Sequence, residues 1–140
     1  MISKDQDVEF HRKGWGYEKW MANSELYCGK LLVVLLGKRC SVHYHKLKDA
    51  TFYLNDGLIL MRVWEEPYEV PKGRAWYAHK GMAYPGDPPE PNEFLMHPGD
   101  RLVLPPNTPH QFLGVDPKST IIEISTQHFE NDSYRIEKGD

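Results

Sequence analysis

Eight short apolar segments, separated by turn residues, constrain the fold of this chain more than any other feature of its sequence. The longest apolar run, residues 31–36 (LLVVLL), lies between Gly29 and Gly37 and is too short for a typical helix. A continuous apolar run of this length is typical of a strand that is covered on both faces. Because the other segments are equally short and rich in β-branched and aromatic residues, the pattern predicts an all-β barrel or sandwich.

Turn residues and a proline-rich stretch divide the chain. The other predicted strands are residues 40–45, 51–54, 58–64, 93–96, 101–104, 111–113 and 120–125. Residues 55–57 (NDG), 98–100 (PGD) and 105–107 (PPN) are typical of tight reversals between strands. Residues 65–92 carry six prolines and three glycines, which predicts a long loop over one end of the barrel. The length predicts a single domain over residues 1–140, with residues 1–13 as an N-terminal lead-in.

Charge and composition narrow the class of partner. The chain has 17 basic and 20 acidic residues, without the basic stripe of a nucleic-acid binder or the polybasic patch of a membrane-binding protein. A small molecule or another protein is therefore the expected partner. The polar N-terminus lacks a signal-peptide core, and no apolar run approaches the roughly 20 residues that span a bilayer. We expect a cytoplasmic protein in which Cys28 and Cys40 are reduced thiols.

Three histidines form the strongest chemical signal. His43 and His45 are two positions apart, so in an extended strand they project from the same face and can bind one ion together. A second strand and turn, residues 99–109, lead to His110. The pattern predicts a three-histidine metal site, and the alternative that these histidines have no metal role stays open. The other histidines, which lack this context and are expected to be solvated, are His11, His79, His97 and His128.

Residues 37–57 contain a motif that resembles the first of the two sequence motifs of the cupin superfamily. In this family a glycine is followed by His-x-His, a glutamate and a second glycine. Here Gly37, the two histidines of residues 43–45 and Gly57 are in register, but Ala50 occupies the place of the glutamate. Asp49 is adjacent, but strand alternation turns it to the opposite face. The resemblance implies a cupin-type antiparallel jelly-roll β-barrel in which the carboxylate ligand is missing.

The second cupin motif supplies the third histidine. Gly99, Pro105 and His110 match it, while Asn107 replaces a glycine and Gly114 replaces an asparagine. Asparagine tolerates a positive φ, so the turn is expected to form. Three neutral imidazoles without a carboxylate favour Fe(II), Zn, Ni or Cu over hard ions such as Mg or Mn. The resemblance implies a divalent metal ion, Zn, Ni, Fe or Mn, as the cofactor.

Phrases at both ends resemble one branch of the cupins, the sugar-phosphate isomerases of the type II mannose-6-phosphate isomerase kind. Residues 15–20 (WGYEKW) resemble the entry segment of that branch, and residues 41–45 (SVHYH) with Lys48 resemble its first metal motif. Residues 123–126 (EIST) and 132–135 (DSYR) resemble its closing phrase. The resemblance implies a carbohydrate substrate and aldose–ketose isomerisation.

Isomerase chemistry assigns roles to charged residues. Moving a proton between adjacent carbons needs a base, for which Glu123 is the first candidate and Glu18 the second. Lys48 and Arg135 are candidates for binding an anionic group of the sugar, with Lys30 as a further one. The aromatic residues that could stack on a sugar ring, or else pack in the core or at a dimer contact, are Trp15, Trp20, Tyr53, Trp64, Trp76 and Phe112.

Two other functions remain open at this stage. Three imidazoles are also the ligand set of cupin thiol and diketone dioxygenases, in which Fe(II) keeps positions open for substrate and O₂. The protein could also be a non-catalytic module that binds a carbohydrate or nucleotide-sugar. Ala50 stands where the cupin motif has its glutamate ligand, so the metal site could have been lost. We also expect a homodimer, because a lone barrel would struggle to bury the Trp-rich residues 15–20.

Overall fold

The computed structural model describes residues 1–70, 80–81 and 89–140, and these form two antiparallel sheets. Two short 3₁₀ helices, Asp5–Asp7 and Glu130–Asp132, flank the strands. The strands are β1 (Glu9–Lys13), β2 (Gly16–Asn23), β3 (Cys28–Leu35), β4 (Val42–Tyr44), β5 (Ala50–Asp56), β6 (Ile59–Val63), β7 (Asn92–Met96), β8 (Arg101–Leu104), β9 (His110–Gly114), β10 (Lys118–Ser125) and β11 (Tyr134–Glu137).

The two sheets have the orders β1-β2-β3-β10-β5-β8 and β11-β4-β9-β6-β7. This arrangement confirms the predicted all-β antiparallel fold. Each of the eight predicted strands is present, with boundaries shifted by up to three residues. The prediction missed β1, β2 and β11, because these strands carry charged and polar residues and give no apolar run. The N-terminal lead-in is therefore partly a strand at the edge of the larger sheet.

The apolar core lies between the sheets and follows from strand alternation. Leu54 on β5 and Ile59 and Met61 on β6 are fully buried. In β3 the three successive residues Leu32, Val33 and Val34 are all buried, as expected of a strand covered on both faces. Trp15 is only 5% exposed and packs edge-on against Phe112 at 4.8 Å between ring centroids. The expectation that a lone barrel leaves this tryptophan exposed is therefore wrong.

The turn predicted before His110 forms as expected. Asn107 has a φ of 62° and is the one non-glycine residue with positive φ in the part of the chain that the structure describes. Its backbone N–H donates to the carbonyl of His45 at 2.7 Å, so the turn is joined directly to the His-x-His segment. The asparagine therefore replaces the motif glycine without loss of the turn.

Three other predictions have different outcomes. Cys28 and Cys40 are free and buried, as predicted. Of the long loop predicted over residues 65–92, residues 71–79 and 82–88, which include Trp76 and His79, lie outside the described residues. Among residues 1–70, 80–81 and 89–140, no helix is long and apolar enough to cross a membrane.

Candidate metal centre

The three predicted ligand histidines converge inside the barrel. His43 on β4 is the cross-strand partner of His110 on β9, and their ring centroids are 4.5 Å apart. His45 follows β4 and lies 5.3 Å from His43 and 5.8 Å from His110 between ring centroids. One ligand nitrogen from each ring lies within 4.8 Å of the other two. The predicted convergence is confirmed.

Hydrogen bonds fix the orientation of all three rings. Nδ1 of His43 and Nδ1 of His110 each lie 2.9 Å from the carbonyl oxygen two residues earlier in the chain. Nδ1 of His45 lies 2.8 Å from the carbonyl oxygen of Asp132. Because a carbonyl can only accept, each Nδ1 donates and carries the proton of the neutral ring. Each Nε2 therefore keeps a lone pair, which is the form of imidazole that binds a metal.

Burial keeps these imidazoles neutral. Loss of solvation lowers the pKa of His43 and lowers that of His110 well below the ordinary value. Burial, together with the positive charge of Lys48, lowers the pKa of His45 to about 4. A ligand histidine has to be unprotonated, so the site is prepared for a cation at neutral pH without the cost of removing protons.

The donor set fits a divalent ion with open coordination positions. Within the described ranges, the group that could hold a metal consists of three imidazoles and no carboxylate. Ala50 is 6% exposed and belongs to the apolar core with Phe52, whose ring contacts His110 at 5.9 Å between centroids. Asp49 is exposed, as predicted from strand alternation, and does not replace the missing glutamate.

A buried ion pair lies in the same cavity. Nζ of Lys48 is 3.1 Å from Oε2 of Glu123, and the two side chains are 3% and 8% exposed. Burial alone would raise the pKa of Glu123, but the positive charges of Lys48 and Lys30 outweigh this effect and lower it. Glu123 is therefore ionised, and Lys48 is occupied by a carboxylate instead of being a free cation.

A second pair balances the remaining buried lysine. Nζ of Lys30 lies 3.8 Å from Oε1 of Glu18 and 4.0 Å from the centroid of Trp20. Burial lowers the pKa of Lys30. Trp20 donates its Nε1–H to Glu18 at 2.8 Å and has the ring of His11 at 4.2 Å between centroids. These contacts leave the inner cavity with two positive and two negative side chains, so its net charge is close to zero.

These groups surround one cavity of about 390 Å³. Glu123, Lys48, Lys30, Glu18 and Arg135 all line it, together with the three histidines. Arg135 is exposed on β11, directly across the sheet from His43, so it lies at the rim and not among the buried groups. Of the predicted aromatic residues, Trp15, Trp20 and Phe112 also line the cavity, whereas Trp64 is buried elsewhere and Tyr53 faces outward.

Asp132 positions the site, a role that the sequence did not reveal. Its buried carboxylate accepts hydrogen bonds from the backbone N–H groups of Lys46, Leu47 and Lys48 at 2.9 to 3.2 Å. Its carbonyl oxygen accepts from His45. One residue thus fixes both His45, a candidate metal ligand, and the loop that carries Lys48. In the sequence, Asp132 stands out only as the first residue of the stretch 132–135, which resembles the C-terminal phrase of the isomerase branch. That resemblance gives no information on these contacts.

His128 also belongs to the cavity, and the expectation that it is solvated is wrong. It follows β10, it is half-buried, and it lines the cavity with the ligand histidines. His97 is exposed, as predicted, and His11 is half-buried against Trp20. No periodicity distinguishes His128 in the sequence, because it lies beyond the last residue of the strand.

Solved structures show the class of fold. KdgF of Halomonas sp. superposes with a TM-score of 0.65 at 14% identity, covering 91% of this chain and 95% of that one. The capsular polysaccharide assembling protein CapF of Staphylococcus aureus gives 0.69 at 14% identity, over 93% of this chain and 32% of that one. Oxalate decarboxylase of Bacillus subtilis superposes with a TM-score of 0.68 at 15% identity, covering 97% of this chain and 33% of that one. These are cupin-fold proteins, so this chain has the cupin fold.

The sequence itself is similar to a sugar isomerase. Over 111 residues the chain is 29% identical to a D-lyxose ketol-isomerase of Thermofilum sp. (strain ex4484_79). The match covers 75% of this chain and 59% of that protein, so the chain spans about three fifths of the length of this relative. No family model matches the chain.

Proposed function

We propose that the protein is a metal-dependent sugar isomerase that interconverts an aldose and its ketose. The observation that carries this proposal is the presence, in one cavity, of three imidazoles with free Nε2 lone pairs and a buried ionised carboxylate, Glu123. Similarity to a D-lyxose ketol-isomerase supports the same activity. A carboxylate base beside a Lewis-acid site is the combination that this reaction requires.

The histidines would hold the metal through Nε2. His43, His45 and His110 provide three neutral nitrogen donors, which suit Zn, Ni or Fe better than Mn as the resident ion. When bound, such an ion supplies Lewis acidity to the carbonyl and adjacent hydroxyl oxygens of a sugar. The hydrogen bonds at the three Nδ1 atoms orient the rings before any ion arrives.

Glu123 would move the proton between carbons. Its carboxylate would remove the proton from C2 of the aldose, so that the C–H electron pair forms the C1–C2 double bond of an enediolate and the carbonyl π pair moves onto O1. The proton of the O2 hydroxyl would then pass to O1, the C2–O2 double bond would form, and the same carboxyl group would return its proton to C1 of the enediolate to give the ketose. Lys48, at 3.1 Å, keeps the carboxylate ionised before the first step. Glu123 is therefore assigned as the base, and Lys48 as the cation that positions it and keeps it ionised.

Charge balance favours an uncharged sugar over a sugar phosphate. Both buried lysines have a carboxylate near them, Lys48 with Glu123 and Lys30 with Glu18. A phosphate placed beside the histidines would compete with these carboxylates for the lysines and would bring negative charge into a cavity whose buried charges are already balanced. Arg135 also lines the cavity, but from an exposed position on β11, where solvent weakens its attraction for an anionic group.

The test is an isomerase assay on tag-free protein that has been stripped of metal and then loaded with Mn, Fe, Ni or Zn. D-lyxose and mannose 6-phosphate serve as substrates, and the ketose product is measured. We expect ketose from D-lyxose, and a loss of about 10²- to 10⁴-fold in kcat in Glu123→Gln. Glu25→Gln, at an exposed glutamate, is the matched control. O₂ uptake by the iron form without ketose, or full activity in Glu123→Gln, would contradict the proposal.

The assembly we propose is a homodimer formed through the outer face of the six-stranded sheet. Ile124, Thr51 and Val103 are cross-strand neighbours on this face, and Ile124 and Val103 are 58% and 54% exposed. Ile122 and Tyr53 form the next row. An apolar sheet face of this kind is suited to an isologous contact with a second copy. Light scattering at micromolar concentration should give the dimer mass in the native chain and the monomer mass in Ile124→Lys.

A further inference from the structure

His128 is held against the cavity wall by its backbone. Its N–H donates to Oδ1 of Asn23 at 2.8 Å, and its carbonyl accepts from Nδ2 of Asn23 at 3.0 Å. The ring packs edge-on against Trp20 at 4.9 Å between centroids and lines the cavity that contains the three ligand histidines. The backbone of His128 is therefore fixed, and its ring contacts Trp20 at the wall of the cavity.

The two ring nitrogens of His128 are in different environments. Nδ1 is buried and has no hydrogen-bond partner, and it is the one side-chain atom in this condition within the described part of the chain. Nε2 has no hydrogen-bond partner among the described residues, and it is not among the buried unpartnered atoms, so it keeps some solvent exposure in a residue that lines the cavity. A proton on Nδ1 would be a stranded buried donor, whereas a proton on Nε2 can be solvated. The Nε2–H tautomer is therefore favoured.

This is the opposite tautomer from that of His43, His45 and His110. In those rings a carbonyl at Nδ1 fixes the proton there and leaves Nε2 as a lone pair. In His128 the lack of an acceptor at Nδ1 among the described residues favours a proton on Nε2, in a residue that lines the same cavity. Its ring centroid is 6.3 Å from that of His45, and His128 is not part of the group of ligand atoms within 4.8 Å. Its geometry is that of a hydrogen-bond donor beside a metal site.

We propose that His128 is a substrate-binding residue whose Nε2–H donates to an oxygen atom of the sugar, next to the oxygens that the metal site would receive. The assignment rests on the proposed function, which supplies the sugar. A neutral imidazole that donates to a carbonyl oxygen polarises it without transferring a full charge. Burial and the charges of Lys30 and Lys48 lower the pKa of His128 to about 3, so the ring stays neutral while it does this.

The first measurement is the tautomer of each histidine in the metal-free protein, read from the ¹⁵N shifts and ring couplings in a long-range ¹H–¹⁵N spectrum. We expect protonated Nδ1 in the three ligand histidines and protonated Nε2 in His128. Protonated Nδ1 in His128 would overturn the proposal, because its Nε2 would then be an acceptor like the others.

The second measurement separates sugar binding from metal binding by calorimetry, with D-lyxose and with Mn²⁺ as the probes. His128→Phe keeps the packing against Trp20 and removes the donor, and it should weaken D-lyxose binding about 3- to 10-fold while leaving Mn²⁺ affinity unchanged. His128→Gln retains an amide N–H and should recover part of the loss. His97→Phe, at an exposed histidine, is the control.

The outcomes distinguish this proposal from the isomerase proposal. Unchanged D-lyxose affinity in His128→Phe, or a loss of Mn²⁺ affinity in that variant, overturns the role of His128 alone. If the native protein, loaded with metal, neither binds nor isomerises D-lyxose, the proposed function fails and the role of His128 fails with it.

Discussion

Replacing Lys48 with methionine should strongly destabilise the protein. Lys48→Met removes the ammonium group that lies 3.1 Å from Glu123 and leaves the carboxylate buried, since the glutamate side chain is only 8% exposed. Removing one partner of a buried ion pair costs about 3–5 kcal/mol, because the remaining charge stays without compensation. The charge of Lys30, which also lowers the pKa of Glu123, is still present and brings the expected loss toward the lower end of that range.

The assay is urea unfolding of metal-free protein, with Glu123→Gln and the double variant completing the cycle. Since the double variant leaves no unpaired charge at this position, it should be destabilised by less than the sum of the two single variants. Lys38→Met, at an exposed lysine, is the matched control and should change the free energy of unfolding by no more than about 0.5 kcal/mol. A loss below about 1 kcal/mol in Lys48→Met, or strict additivity in the cycle, would refute the reasoning.

The pair also predicts a pH dependence. The folded-state pKa of Glu123 is lowered, so its contribution to stability is present above the pKa of an unfolded glutamate, about 4.3, and is lost as the pH falls through the folded pKa. The difference between the native protein and Glu123→Gln should therefore be largest at neutral pH and shrink in acid.

Three further predictions concern neighbouring residues. Because burial raises the pKa of Cys40 to about 12, its thiol should not react with a thiol reagent at pH 8 until the protein unfolds. Asp132→Ala removes the acceptor for three backbone N–H groups and should lower both the melting temperature and the Mn²⁺ affinity, whereas Asp132→Asn, which keeps one acceptor oxygen, should lose less. Ala50→Glu places a carboxylate in the apolar core beside Phe52. It should lower the melting temperature with and without Mn²⁺ and give no gain in Mn²⁺ affinity. Stabilisation of this variant by Mn²⁺ would contradict the prediction.

The sequence predicted the parts of the fold that periodicity controls. Alternation placed His43 and His45 on one face, turned Asp49 outward, and identified each of the strongly apolar strands. The turn at Asn107 followed from the tolerance of asparagine for positive φ. β2 was missed because its inward-facing side chains include Glu18 and Trp20, which line a polar cavity instead of an apolar core. β1 was missed because four of its five residues are charged or histidine.

The electrostatics of the site could not be predicted in the same way. Lys48 and Glu123 are 75 positions apart, and only the packing of a loop onto β10 shows that they pair. Lys30 alternates with Leu32 and Val34 on the inward face of β3, so strand alternation indicates its burial but not its pairing with Glu18. His128 and Asp132 lie outside regular strands, where no periodicity reports which way a side chain points.

Metal binding by the three histidines is the central claim, and titration of tag-free, metal-free protein with Mn²⁺, Ni²⁺ or Zn²⁺ in a calorimeter tests it most directly. The native chain should bind one ion per chain. Because each of the three rings carries its proton on Nδ1, Nε2 is already free to bind the ion. Loss of a residue that only hydrogen-bonds to a metal ligand costs roughly 10- to 100-fold in affinity, so loss of the ligand itself in His110→Phe should cost at least as much. His97→Phe should leave the affinity unchanged. No binding to the native chain, or equal affinity in His110→Phe, would contradict the claim.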